Sequence, residues 1–312
     1  MKFVSPFTQK LSIEHNGMLY EKTIYEPPLS LSGVVDENYP NYYPAATYNT
    51  GDYVIVPELK TIYRCSADGV SGVFPLSDPS KWVDWGFVNS YKMLSTDEQI
   101  GAQTVGVDIV MELPFSRRDT LGLVNTQFMQ LHLELIDLDT NEVVDDIKVS
   151  GRDIGCTSFA EYFYDEIREK SRVIVDGLMW LPNSKLRLTF SGDVKIGSIV
   201  SGCARELGIT LMGTELSFED RSKILNDEFT NTRKVIRYGH VRVLKAKVLF
   251  DVPDFDVVAQ KVGEIIGKNV LFIPSEKDRF SEMTNIAYIE DFSMPIENPV
   301  IFEANTTIVG VV

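Results

Sequence analysis

The side chains that could carry chemistry in this chain are three histidines, three cysteines and a few groups of carboxylates. His15, His132 and His240 show neither HxH nor HExxH spacing, so no zinc site is expected. His132 lies in "QLHLEL", where Gln130, His132 and Glu134 alternate onto one face of a strand. The run "DLDTNEVVDD" puts Asp137, Asp139 and Asn141 at the first, third and fifth places of a calcium loop. Its sixth place is Glu142, where the turn requires glycine, and its twelfth is Lys148, where a bidentate glutamate belongs. The run therefore reads as a charged hairpin tip. Cys203 stands in "SGCARELG" with no base tied to it. Cys65 and Cys156 are far off, so the three form neither CxxC spacing nor a disulfide framework. Buried free thiols of a chain made in a reducing cytoplasm are the reading. No GxSxG, P-loop or GxGxxG occurs. Glu161, Asp165, Glu166 and Glu169 share a helix pattern at spacings of three and four, which reads as a solvated face. The separation of a carboxylate pair for glycoside hydrolysis is set by the fold and not by sequence spacing. A glycan-degrading enzyme therefore stays as a third functional option. The expectation is a protein that is not an enzyme, with no catalytic residue, metal site or cofactor.

Bulk composition narrows the partners. Thirty basic against 45 acidic residues give a net charge of −15, which argues against a nucleic-acid groove, because a phosphate backbone needs clustered Lys and Arg. No run approaches the ~18 apolar residues of a membrane span, so no membrane insertion is expected. The opening "MKFVSPFTQKLSIEHNG" has no apolar core of a secretory signal.

Four segments must position whatever the chain binds. Residues 1–40 are short apolar runs broken by proline and read as an N-terminal arm of one or two strands, lying across a neighbouring domain or subunit. Residues 41–90 form a small β module: "DYVIV" and "TIYRC" pair across the Pro57–Lys60 link, and "KWVDWGFV" closes it. A core of that size depends on its large aromatics. Residues 91–205 carry many strands with turns at "DTNE" and "PNSK", interrupted by one helix from Ser158, and suggest a β-sandwich or jelly roll. Residues 206–312 read as an α+β assembly domain. Its helix runs "DFDVVAQKVGEIIG", with Asp254 as N-cap and Gly267 at its end. The last segment, "IFEANTTIVGVV", is apolar and β-branched and reads as a sheet edge open to a neighbour's strand. The fold class is mainly β.

The order Tyr48, Gly51-Asp52, Val54, Tyr63-Arg64, Pro75, Pro79 and Trp82 resembles the small chitin-binding-type carbohydrate-binding modules of families 5 and 12. That family commonly carries sugar-stacking tryptophans just after the Tyr-Arg pair, whereas here "CSADG" (65–69) holds no aromatic. The resemblance implies a packed Trp82 and leaves Trp85, Tyr53 and Tyr63 as carbohydrate-binding candidates, with Asp52 and Arg64 as a polar edge. A second resemblance covers most of residues 45–240. "WGFVNSYKML" from Trp85, "LGLVNTQF" (121–128), "LRLTFSGDVKIGSIVSG" (186–202) and "LGITLMGTELSFEDRSK" (207–223) are similar to virion proteins of tailed bacteriophages. That resemblance implies a galactose-binding-like jelly roll and a structural part of the tail or neck. The implied protein acts as a multimeric adaptor, made in the host cytoplasm and resident in the virion. Its expected partners are copies of itself in a ring, other tail or neck proteins, and tail fibres. Binding of a host-surface glycan as a receptor is the alternative function.

Overall fold

A computed structural model describes residues 1–96, 103–153, 168–220, 222–227, 232–236, 240–251, 255–275, 280, 283–295 and 301–311. The fold is mainly antiparallel β, as the alternating runs predict. The helix expected from Ser158 lies outside the described residues, as do Cys156, Glu161, Asp165, Glu166 and the expected N-cap Asp254.

The small module is a three-stranded meander of Tyr53–Val56, Thr61–Cys65 and Trp82–Phe87, beside the short pair Thr47–Tyr48 and Val70–Ser71. Alternation sends Val54, Val56, Tyr63, Cys65 and Trp82 to one face, where they meet Tyr48, Leu59, Val70 and Phe74. Trp82 is buried and lies edge-on to Tyr48 with centroids 5.3 Å apart. Its indole N–H donates to the Val73 carbonyl at 3.1 Å, which satisfies the ring's one polar atom inside the core.

The first 34 residues lie across the other units, as expected of the arm, but hold four strands instead of one or two. Lys2–Val4 pairs on one side with Ala204–Glu206 and on the other with Val270–Ile273. The hairpin Thr8–His15/Met18–Tyr25 turns at Asn16-Gly17, both at positive φ (51° and 76°), the preferred chemistry of a two-residue turn. It lays Leu11, Ile13 and Tyr20 against the module core. Ser30–Val34 then pairs with Thr104–Pro114 of the central sheet. Arg118, buried, forms an ion pair with Glu26, donates to Ser201 at 2.7 Å and stacks over Phe7 at 4.2 Å, fixing the same segment to the central sheet.

The central sheet runs Val143–Ser150, Gln130–Asp137, Ser184–Ser191, Thr104–Pro114, Asp193–Gly202, Thr120–Gln127 and Arg172–Val175. Thr104–Pro114 pairs with Asp193–Gly202 through Thr104 to Val107 and with Ser184–Ser191 through Val110 to Pro114. Between the two lies Asp108 at φ 46°. Its amide donates to the Gly192 carbonyl at 3.1 Å, and its carboxylate accepts the Gly192 amide at 2.8 Å. The strand bends there and the sheet curls on itself in a sandwich-like way. Inward residues of both halves, such as Leu131, Leu133, Leu186, Leu188, Leu123 and Ile196, form one core.

The C-terminal sheet runs Ala204–Glu206, Lys2–Val4, Val270–Ile273, Asn285–Ser293, Ile301–Gly310, His240–Asp251 and Ile209–Thr210. Its first and last members are one stretch of chain, interrupted only at Leu207-Gly208, so the sheet closes on itself. The helix Phe255–Ile265 adds Val258, Val262 and Ile265 to the enclosed core, and Gly267 follows it at φ 73°. Val270–Ile273 is buried on both faces. Val270 and Phe272 enter this core, while Leu271 and Ile273 enter the central one. A continuous apolar run is what two buried faces demand.

One expectation is overturned here. Ile301–Gly310 is not an open edge: it pairs with His240–Asp251 on one side and Asn285–Ser293 on the other. Apolar, β-branched composition reports buried faces, and it is silent on whether a strand's two edges are paired. In a closed sheet the last strand can lie between two others.

Two substitutions test this architecture. Trp82→Ala should cost ~3–5 kcal/mol, the range for deleting a large buried ring, read as an earlier denaturant midpoint of the module. A melting curve like that of the parent would show that the ring is not core. Gly208 sits at φ 147°, and a Cβ there would stand 2.5 Å from the Leu249 carbonyl oxygen. Gly208→Ala should therefore destabilise the closed sheet by roughly 1–3 kcal/mol, seen as faster amide exchange in Lys2–Val4 and His240–Asp251. Unchanged exchange would mean that closure does not depend on this bend.

Candidate functional site

The face of the small module opposite its core carries the sequence candidates. Pairing places Tyr53, Arg64 and Val83 on one rung of the meander. Ile62 pairs with Gly86 and Tyr63 with Asp84, so Trp85 is the extra residue of a bulge. Gly86 beside it adopts φ 110° and donates its amide to the Asp84 carboxylate at 2.9 Å. Trp85 shares the outward parity of Val83, and 53% of its surface is exposed.

Three rings and one cation gather there. Tyr39 stacks on Tyr53 at 4.9 Å with an angle of 19° between the planes. Trp85 meets Tyr53 edge-on, at 5.5 Å and 75°. The Arg64 guanidinium lies 5.9 Å from the Tyr53 ring and 5.7 Å from the Trp85 ring, within cation–π range of both. Among the described residues no carboxylate forms an ion pair with Arg64. The nearest acids in the module are engaged elsewhere. Asp52 accepts the Asn49 amide at 2.7 Å, and Asp84 pairs with Lys22 at 2.5 Å.

The candidates therefore separate. Tyr53, Arg64 and Trp85 come together on the exposed face, and Asp52 lies exposed at the start of the Tyr53 strand. Tyr63 does not join them. Its ring lies in the core, only 3% exposed, where burial and then the nearby Asp84 push its phenol well above the usual tyrosine range. It cannot stack on a sugar. Residue parity decides this: Tyr63 and Arg64 are neighbours on one strand and must point to opposite faces. Tyr39 was missed. It belongs to "ENYP", read as arm, and its only signal was the tyrosine density of "ENYPNYYP".

Other chemistry-bearing residues have structural partners. His132 Nε2 lies 2.6 Å from the Asp146 carboxylate across neighbouring strands, and His15 stacks on Phe74 at 4.4 Å. Asp137 accepts the Asp139 amide at 2.9 Å, and Asp139 accepts Asn183 Nδ2 at 2.7 Å, with Asn141 at φ 58° completing a tight turn. The Cys203 thiol points at the Arg117 carbonyl at 2.9 Å, and burial followed by Asp119 pushes its pKa up, away from a reactive thiolate. Glu112 takes Lys185 at 3.0 Å and Arg187 at 2.8 Å. Among the described residues no three His, Cys, Asp or Glu side chains stand together as a metal site.

A second surface feature lies where the C-terminal sheet closes. A groove of about 770 Å³ is lined by Met1, Ile209, Leu211, Met212, Phe280 and Met283, among others. Met212 is fully exposed and Ile209 is 69% exposed. The Thr210 hydroxyl donates to the Pro274 carbonyl at 2.7 Å and fixes one wall.

No protein-family model, curated protein or solved structure matches the chain.

Chelation provides a direct check on the acidic turn. The thermal midpoint should be the same in excess EDTA and in calcium, because the Asp137 and Asp139 carboxylates are already committed to hairpin contacts. A calcium-dependent rise of several degrees would show a site that these contacts conceal.

Proposed function

We propose that the chain is a structural adaptor of a tailed-bacteriophage virion, placed in the tail or neck and joining copies of itself to neighbouring virion proteins or fibres. The observation that carries this reading is the apolar groove at the closure of the C-terminal sheet, with Ile209 and Met212 presented to solvent beside it. The groove's lining includes Lys2 and Glu206, but its exposed face is methionine and isoleucine, side chains suited to docking of another protein. The sequence likeness to virion proteins includes this stretch, within residues 207–223. In this reading the central curled sheet is a jelly roll of the galactose-binding-like kind, and the C-terminal unit is the α+β assembly domain. Assembly proceeds through side-chain packing at the groove, since the last strand has both edges paired.

A second reading, recognition of a host-surface glycan, is favoured by one observation: the outward-turned Trp85 beside Arg64. The two readings are compatible, because the face and the groove belong to different units.

Replacing Ile209 and Met212 together by aspartate tests the first reading. Both side chains are exposed, so the purified variant should fold and melt like the parent, yet be absent from particles assembled with it. Particles that carry the variant at full copy number would remove the groove from assembly.

A further inference from the structure

We infer that the Trp85–Arg64 face binds a single pyranose unit bearing a carboxylate, such as a uronic or sialic acid at a chain end. The inference rests on the glycan reading and names its ligand class. Two independent features of the site carry it.

The first is the number of usable ring faces. A polymer of neutral sugars needs two or three exposed rings lying in one plane, spaced to meet successive units. Here one face of Tyr53 is covered by Tyr39, stacked at 4.9 Å, and Trp85 stands at 75° to Tyr53. The rings therefore offer no continuous plane. The indole of Trp85, 53% exposed against 37% for Tyr39, is the principal stacking surface, enough for one sugar ring.

The second is charge. The chain is acidic overall, with 45 acidic residues against 30 basic ones, yet the cation beside Trp85 has no acidic partner among the described residues. Asp52 and Asp84 of the same module accept the Asn49 amide and pair with Lys22. The flanking rings hold the guanidinium in place, 5.7 Å from the Trp85 centroid and 5.9 Å from that of Tyr53. A pre-positioned planar fork of donors beside a stacking surface matches a carboxylate attached to a pyranose, which can accept two parallel hydrogen bonds. A neutral sugar would use the stacking surface and leave the charge unanswered.

The test titrates the full chain with methyl glycosides of glucuronic, galacturonic and sialic acid, with methyl glucoside as the neutral probe and acetate as the bare carboxylate. Binding is followed by ligand-observed NMR saturation transfer. At least one acidic glycoside should bind about tenfold more tightly than the neutral one. Its affinity should fall between about 50 and 500 mM salt, as for a solvent-exposed charge pair. Arg64→Gln should reduce the acidic probe to the level of the neutral one, and Trp85→Ala should abolish both. Both residues are exposed, and unchanged melting curves of the variants would show that the fold is intact. Equal binding of neutral and acidic probes, unaffected by Arg64→Gln, would overturn the acidic specificity while leaving the glycan reading standing. Acetate binding as tightly as the glycosides would reduce the site to an anion contact and overturn the inference. Absence of saccharide binding at tens of millimolar would overturn both.

Discussion

Insertion of Lys2–Val4 between Ala204–Glu206 and Val270–Ile273 is the contact on which the rest of the molecule depends. It supplies a strand without which the C-terminal sheet could not close. Its side chains also serve two cores at once, since Phe3 enters the C-terminal core and Val4 the central one. A three-residue strand has little stability of its own. It persists because both edges are hydrogen-bonded and both faces are buried. The same logic holds for Val270–Ile273, where Leu271 reaches so near Gly122 that a Cβ there would stand 2.2 Å from its methyl carbon. The two large sheets touch through a glycine because only a bare backbone lets them approach that closely.

This arrangement has a kinetic side. Residues near the start of the chain pair with residues about two hundred positions later, so much of the native pairing is non-local. Loop closure of that length costs entropy before any contact rewards it. The module and its covering hairpin, by contrast, are built from contacts within the first 90 residues. The module is therefore the part with the greatest local support, and the closed sheet is the part that forms only when both ends of the chain are present.

The two candidate surfaces follow from different physics. The aromatic face exists because alternation along the closing strand of the module packs Trp82 and exposes Trp85 three positions later, where the strand bulges. The groove lies beside the glycine bend, where the turn after Ile209–Thr210 presents Met212 to solvent. One surface is polar and aromatic, suited to a small ligand held by stacking and charge. The other is apolar and open, suited to a protein partner. Neither needs a reacting group.

The sequence by itself determined the strand content and the local turns, because these are set by neighbouring residues. Period-two alternation marks Ser184–Ser191, whose even-numbered residues face inward. The Pro57–Lys60 link joins the two strands it was expected to join, and the burial of Trp82 fits the need of a small module for large aromatics in its core. Part of the candidate face was legible in the sequence: Tyr53, Arg64 and Trp85, named as candidates, come together, whereas Tyr63, named with them, lies in the module core and Tyr39 was missed. Tertiary structure alone decided the rest. Which ring stacks on which depends on how separate segments pack, and a bulge leaves no periodic signal. Sheet order is likewise invisible in one strand's composition. Ile301–Gly310 looks like an edge because it is apolar and β-branched, yet it is enclosed because Asn285–Ser293 and His240–Asp251 pair along its two sides.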